Sequence, residues 1–305
     1  MIRSFRPDDA PATAELLAAL VPANIHTAES LEHRHGSEPE RARRRSWVAR
    51  DGGEIVGFAT AWFQWFGGEA GKGRICVGVR EDRRKRGMGT RLWDAAVAHL
   101  AGATKLTVEV DDDHAGLRFV ERRGFTQYSA EVISSLDLRA RSFEPEAREG
   151  FRVVSLREAS GREEDLFEFY GRAGGLPPGD PKNRVTFDEW RRFILGNPLL
   201  NRDASVLVTD AEGRIVSLSW LLVDRTRRRA ENEWTATLPE LRGRGLARLA
   251  KTASIRAAIE RGIDEIVTGN EPDNLPMRAL NRRLGYSELF TRRDLERPIA
   301  QRSSQ

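Results

Sequence analysis

Two stretches of the chain share one unusual spacing. "RRKRGMGTRL" at 83–92 and "ELRGRGLARL" at 240–249 both read Arg-x-x-Gly-x-Gly/Ala, and apolar residues at helical spacing follow each of them. Gly87 and Gly245 are 158 residues apart, and the Gly-aromatic pairs that begin at Gly124 and Gly285 are 161 apart. A motif that recurs with its surroundings at a nearly constant offset predicts an internal duplication.

Each copy predicts the same order of elements. Residues 74–79 and 231–238 read as strands, the glycine turn and a helix follow, and residues 104–110 and 264–268 read as a second strand. A second helix then runs to the Gly-aromatic pair. This β-α-β-α order predicts an α/β (α+β) fold with mixed strands.

A chain of 305 residues exceeds the usual size of one core, so we expect two domains. The stretch 138–151 is charged, contains proline and has no apolar period, which is typical of a linker. We predict an N-terminal domain at 1-140, a linker at 141-150 and a C-terminal domain at 151-305. The glycine- and proline-rich stretch 174–181 predicts a loop inside the second domain.

The glycine turn is suited to binding an anion. Glycine lets the backbone approach a ligand closely, and a helix that starts there offers unpaired N–H groups and the positive end of its dipole. Pyrophosphate fits this arrangement best. A nucleotide P-loop is excluded because its only look-alike has Gly73 where a hydroxyl belongs, and a dinucleotide fingerprint would need glycine at Leu92 or Arg248.

The order strand, Arg-x-x-Gly-x-Gly/Ala, helix, strand and Gly-aromatic resembles the acyl-CoA-binding signature of the GNAT superfamily of N-acetyltransferases, here in tandem. The resemblance implies two GNAT-like domains, each with a mixed, mostly antiparallel central sheet flanked by helices, and acetyl-CoA or another acyl-CoA as co-substrate. The acyl-CoA contacts that it implies are Val77, Val79, Arg84, Lys85, Arg86, Gly87, Met88, Gly89, Thr90, Thr237, Leu238, Arg242, Gly243, Arg244, Gly245, Leu246, Ala247 and Asn274.

The two halves differ at the positions where the family commonly has catalytic groups. A carboxylate often lies 11 residues before the first loop arginine; Glu231 matches in the second half, with Glu233 next on the same strand face, whereas Gly73 stands there in the first. The family's general-acid tyrosine is replaced by Asn281 and by Val120. The second half is therefore the expected catalytic domain, with Asn281 as a possible hydrogen-bond donor.

We accordingly expect an acetyl-CoA-dependent N-acetyltransferase that acts on a primary amine of a small molecule or peptide. The alternative is a non-catalytic acyl-CoA-binding or regulatory protein. The net charge of +4 and arginine clusters without interleaved aromatic residues, at 41–45 and 225–229, argue against nucleic-acid binding and predict solvated faces. We expect no metal and no membrane partner, a cytoplasmic location, and core packing for most tryptophans; the oligomeric state is not predicted.

Overall fold

The computed structural model describes residues 1–67, 69–174 and 184–299. These residues form two compact units. The first contains residues 1–131, 184–185 and 290–299, and the second contains residues 132–174 and 186–289. The predicted loop at 174–181 lies outside the described residues from 175 onward.

The first repeat contains every element that the sequence predicted, with ends shifted by one or two residues. Its elements are β1 Ile2–Ser4, α1 Ala10–Leu20, α2 Ala28–Ser37, β2 Arg45–Asp51, β3 Glu54–Phe63, β4 Lys72–Val79, α3 Met88–His99, β5 Lys105–Val110, α4 His114–Glu121 and β6 Thr126–Asp137.

The second repeat follows the same order, after the irregular segment that joins the repeats. Its elements are β7 Arg152–Ser155, α5 Glu163–Arg172, α6 Phe187–Trp190, β8 Val206–Thr209, β9 Ile215–Asp224, β10 Arg229–Thr237, α7 Leu246–Glu260, β11 Glu265–Asn270, α8 Leu275–Leu284 and β12 Ser287–Pro298.

The sheets of the two units have equivalent topology. The strand order is β1-β2-β3-β4-β5-β12 in the first unit and β7-β8-β9-β10-β11-β6 in the second. Among the described strand pairs within the two units, β4–β5 and β10–β11 are the parallel ones, and each of these ladders has three residue pairs. The prediction of mixed, mostly antiparallel sheets flanked by helices is confirmed.

Each unit receives its sixth strand from the other repeat. Residues 132–137 of β6 pair antiparallel with β11, and residues 293–298 of β12 pair antiparallel with β5. Leu295 of β12 lies opposite Val108 and is buried in the core of the first unit. The compact units are therefore not contiguous stretches of sequence, although the repeats are.

Helices cover both faces of each sheet. In the first unit, Leu92 and Ala96 of α3 pack on one face, and Leu16 of α1 packs with Phe58 on the other. In the second unit, α7 packs on the face that carries Leu221 and Val223. The opposite face carries an aromatic cluster of Tyr170, Trp190, Trp220 and Trp234, with ring centroids 4.5 to 6.3 Å apart.

The expectation of solvated arginine faces is wrong for Arg44. Its guanidinium is buried, donates to both carboxylate oxygens of Glu38 at 2.7 and 2.9 Å, and lies 3.9 Å from the ring centroid of Trp62. A paired and stacked guanidinium can be buried because every charge-bearing group keeps a partner. In the other cluster, Arg228 and Arg229 pair with carboxylates across the sheet.

The exchanged strand predicts where a mutation in the second repeat acts. Leu295→Ala should destabilise the first unit by about 2–5 kcal/mol, because it leaves a cavity in a packed core. Hydrogen exchange measured on peptides covering β5 should speed up. Leu289→Ala on the same strand is the control, since Leu289 is half exposed and its truncation should cost below about 0.5 kcal/mol. Unchanged exchange at β5 in Leu295→Ala would contradict the strand assignment.

Candidate active site

The two glycine loops have the same backbone conformation. Gly87 and Gly245 are both left-handed, with φ of 75° and 77°, and each directly precedes a helix. Two residues earlier, Lys85 and Gly243 are also left-handed, with φ of 62° and 79°. The loop hydrogen bonds repeat as well, since Arg84 N–H donates to Glu81 and Arg242 N–H to Pro239. The sequence repeat is therefore a repeat of structure.

Both loops leave amide groups available at a helix N-terminus. The first intrahelical bonds run from Arg91 N–H to Gly87 O and from Leu249 N–H to Gly245 O. The amides of residues 88–90 and 246–248 are thus left for an anion. The side chains of Met88 and Leu246 are buried in the cores, so only their backbones can take part.

The first arginine of each loop donates a hydrogen bond to the backbone of the strand that precedes the loop. Arg84 Nε donates to Val79 O at 3.0 Å, and Arg242 Nε donates to Thr237 O at 3.4 Å. These bonds tie the loop back to the strand before it. The guanidinium groups stay close to the loop, where they add positive charge to the site.

The strands in front of the loops open as wedges. In the second unit the parallel ladder of β10 and β11 ends at the pair Glu231 and Val267, so residues 232–237 of β10 continue beyond the ladder with β11. Glu231 therefore lies at the fork of the two strands. In the first unit the ladder ends at Arg74 and Thr107. A wedge of this kind exposes one backbone edge to a ligand that enters between the strands.

A β-bulge follows the fork in the second unit. The register of β10 with β9 shifts between Asn232 and Trp234, which makes Glu233 the extra residue. Simple alternation therefore does not set the direction of Glu233, contrary to the argument from a regular strand. Glu233 is exposed, and its charge, after the larger effect of burial, helps to raise the pKa of Tyr170.

A buried polar chain runs behind this wedge. Lys251 of α7 is almost fully buried, and its Nζ donates to Asn281 Oδ1 at 2.6 Å. Asn281 Nδ2 donates in turn to Asn270 Oδ1, also at 2.6 Å, at the end of β11. The Nζ atom lies 4.9 Å from the ring centroid of Tyr286. Burial lowers the pKa of Lys251 to about 7.

The first unit has an apolar interior at the equivalent positions. Trp93 stands in the place of Lys251, Val120 in the place of Asn281, and Trp93 packs edge-on against Phe125 with centroids 5.4 Å apart. At its fork, Arg74 pairs with Glu109 and Asp294. Sequence reasoning found Asn281 but missed Lys251, although a lysine among apolar helix positions was a visible signal.

Asn274 and Thr237, two further predicted residues, have structural partners. Asn274 caps α8, with Oδ1 accepting from Met277 N–H at 3.3 Å, and Asp113 caps α4 in the same way. Thr237 Oγ1 lies 2.9 Å from Ser217 Oγ. Among residues 1–67, 69–174 and 184–299, no group of three His, Cys, Asp or Glu side chains is arranged to hold a metal ion.

Comparison with known proteins identifies the family. The family model of the acetyltransferase (GNAT) family matches residues 13–125 and 163–286, which is once per repeat and most of the chain. The chain belongs to the GNAT family. The resemblance deduced from the two glycine loops is thereby confirmed.

Curated GNAT relatives are similar over much of the chain. A mycothiol acetyltransferase from Clavibacter sepedonicus is 30% identical over 217 residues, and one from Clavibacter michiganensis subsp. michiganensis is 28% identical over 218. These alignments cover 67% and 68% of this chain and 66% of each relative, so the chain matches just under two thirds of their length.

Solved GNAT structures share the fold. A tandem GNAT protein from the clavulanic acid biosynthesis pathway superposes with a TM-score of 0.75 at 18% identity and covers 99% of both chains. A GCN5-related N-acetyltransferase from Sphaerobacter thermophilus has a TM-score of 0.72 at 20% identity, covering 98% of this chain and 95% of its own. Within the part of the chain that the structure describes, no helix has the length and apolar character to cross a membrane.

Lys251 gives the second unit a specific pH dependence. Lowering its pKa from 10.5 to about 7 corresponds to a cost of about 5 kcal/mol below pH 7. Because the unfolded lysine keeps its proton up to about pH 10.5, this cost shrinks as the pH rises from 7 towards 10.5. Relative to Lys251→Met, the unmodified chain should therefore gain free energy of unfolding between pH 7 and 10, as measured by urea denaturation.

The exposed Lys85 supplies the control for this experiment. Lys85→Met should differ from the unmodified chain by the same amount at every pH in this range. A constant difference for Lys251→Met as well would contradict the prediction that burial lowers the pKa of Lys251.

Proposed function

We propose that the chain is an acyl-CoA-dependent N-acetyltransferase that transfers an acetyl group to a primary amine, and that its second repeat carries the reaction. The observation that supports this choice is the polar chain from Lys251 through Asn281 to Asn270, which has apolar counterparts in the first repeat at two of its three positions. Polar groups are kept in a protein interior at a cost, which is often repaid by function.

The co-substrate fits the loop of the second repeat. Its pyrophosphate would accept hydrogen bonds from the amides of residues 246–248, with Arg242 and Arg244 supplying positive charge. Gly245 has no side chain that would block the approach of the pyrophosphate, and the Arg148 guanidinium lies next to it. The pantetheine arm would pair with the edge of β10 beyond the fork, at residues 235–238. Acetyl-CoA is the proposed donor, and another acyl-CoA would bind by the same contacts.

The amine must lose a proton before it can attack. An ammonium group with a pKa of about 10 costs about 4 kcal/mol to deprotonate at neutral pH. Glu231 lies at the fork and Glu233 follows at the bulge, so either carboxylate can take this proton, directly or through water. Glu233 at the bulge is thus a second acidic residue two positions after the fork.

The later steps need two hydrogen-bond donors. When the amine nitrogen attacks the acetyl carbon, a backbone N–H of β10 beyond the fork would stabilise the oxyanion. The carbon–sulfur bond then breaks, and the departing thiolate needs a hydrogen-bond donor until it takes up, through water, the proton that the attacking nitrogen releases. Asn281 has a second N–H besides the one given to Asn270, and the hydrogen bond that its carbonyl accepts from Lys251 Nζ makes this N–H a stronger donor.

The proposed acceptor is the primary amine of a small molecule or peptide. The relatives named mycothiol acetyltransferase support a small-molecule acceptor. The charge balance of +4, spread over 50 basic and 46 acidic residues, gives no basis for a nucleic-acid partner, and a cytoplasmic location stays a prediction from composition.

Blocking each loop in turn tests which repeat reacts. Gly89 and Ala247 occupy the second position of their helices with ordinary backbone angles, so tryptophan there fills the phosphate position without strain. Ala247→Trp should abolish CoA release from acetyl-CoA with an amine mixture, whereas Gly89→Trp should keep it. Calorimetric titration counts the remaining binding events. Binding without CoA release for any amine would instead favour the non-catalytic acyl-CoA-binding protein.

The carboxylate at the fork should matter most near neutral pH. Glu231→Gln should lower kcat at pH 7 by at least about tenfold, with a smaller loss at pH 9.5 because the amine then deprotonates unaided. Steady-state rates from pH 6.5 to 9.5 measure this, with the exposed Glu212→Gln as control. A pH-independent loss would assign Glu231 a structural role, and an unchanged rate would transfer the base to Glu233.

A further inference from the structure

The segment that joins the repeats lies against the second loop. In this segment, the side chain of Arg148 contacts Gly245. The guanidinium Nη2 and Nε atoms lie 3.3 and 3.4 Å from the position that a Cβ atom on Gly245 would take. Phe143 of the same segment packs against the core beneath α7. Gly87, the equivalent glycine of the first loop, has no described atom within 4 Å of that place. The contact therefore distinguishes the second loop from the first.

A carboxylate of this segment binds beside the helix N-terminus. Glu146 accepts from Arg148 Nη2 at 3.1 Å and from Arg248 Nη2 at 2.7 Å. Arg248 belongs to the first turn of α7, where the available amides and the dipole favour an anion. About two helical turns further along α7, Arg256 pairs with Glu144 at 2.7 Å. The joining segment thus supplies negative charge at the site where the loop would bind phosphate.

A cavity of about 200 Å³ lies between this segment, α7 and α8. Its lining includes Arg148, Arg248 and Arg283 together with Thr252 and Gly245. The Nε atom of Arg148 is buried and has no hydrogen-bond partner among the described residues. Guanidinium and hydroxyl donors that converge next to a phosphate loop are suited to a group with many acceptor oxygens.

We propose that the joining segment is part of the second acyl-CoA site, with Arg148 binding a phosphate group of the co-substrate and Glu146 as the internal anion that this phosphate replaces. The proposal rests on the proposed function. On binding, Arg148 and Arg248 would exchange a carboxylate for a phosphate, and no covalent bond changes. The two residues should therefore affect affinity in opposite directions.

The test uses the full chain with the first loop blocked by Gly89→Trp. Titration with acetyl-CoA at low salt should show Glu146→Gln binding about three- to tenfold more tightly, since two partly exposed ion pairs no longer compete. Arg148→Ala should bind more weakly by a similar factor. The neighbouring Glu149→Gln and Arg152→Ala serve as matched controls for charge and should leave the affinity unchanged.

Weaker binding in both Glu146→Gln and Arg148→Ala would mean that the segment only supports the fold, and an unchanged affinity in Glu146→Gln would mean that its carboxylate does not compete. Either result overturns the proposal.

A second probe separates this proposal from the proposed function. Inorganic pyrophosphate is titrated into the same variants, and binding is followed by hydrogen exchange of the 245–249 amides. If acetyl-CoA binds to none of the variants, the function proposed for the second repeat fails. The order of pyrophosphate affinities, with Glu146→Gln tightest and Arg148→Ala weakest, then still decides whether the segment exchanges its anion.

Discussion

The geometry in front of the second glycine loop depends on the early separation of two parallel strands. Strands β10 and β11 pair through only three residue pairs, and the last of them contains Glu231. Beyond it the backbone edge of β10 is available, the bulge at Glu233 changes the strand direction, and the glycine loop begins. The acyl-CoA and amine sites proposed for this unit both need the fork, because it leaves the backbone edge of β10 available between Glu231 and the helix N-terminus.

The same fork occurs in the first unit with different surroundings. Its loop has the same left-handed residues and the same hydrogen bonds, but Arg74 with its acidic partners lies at the fork and Trp93 fills the position of Lys251. The carboxylates at this fork are paired with Arg74, and an apolar interior is cheaper to fold than a buried lysine. The glycine loop therefore occurs in both repeats, whereas the Lys251–Asn281 pair occurs only in the second of the two described units.

Much of this was readable from the sequence because it is local. A glycine turn before a helix is set by backbone sterics, and the alternation of Leu106 and Val108 predicts a strand facing a core. Glu231 and Asn281 were proposed because the family resemblance assigns catalytic groups to positions at fixed spacings from these local motifs. Lys251 was missed because its role depends on Asn281, thirty residues away on another helix.

The sequence by itself determined the two repeats, their loops and the family, since each follows from short-range patterns that any chain with these residues must satisfy. Only the tertiary structure decided that the last strands are exchanged, that Glu233 lies on a bulge and that Glu146 pairs with two arginines at the second loop. These features depend on pairings between residues that are far apart in the sequence. Whether such a pairing forms depends on the free energy of the whole fold, and it leaves no periodic signal in the sequence.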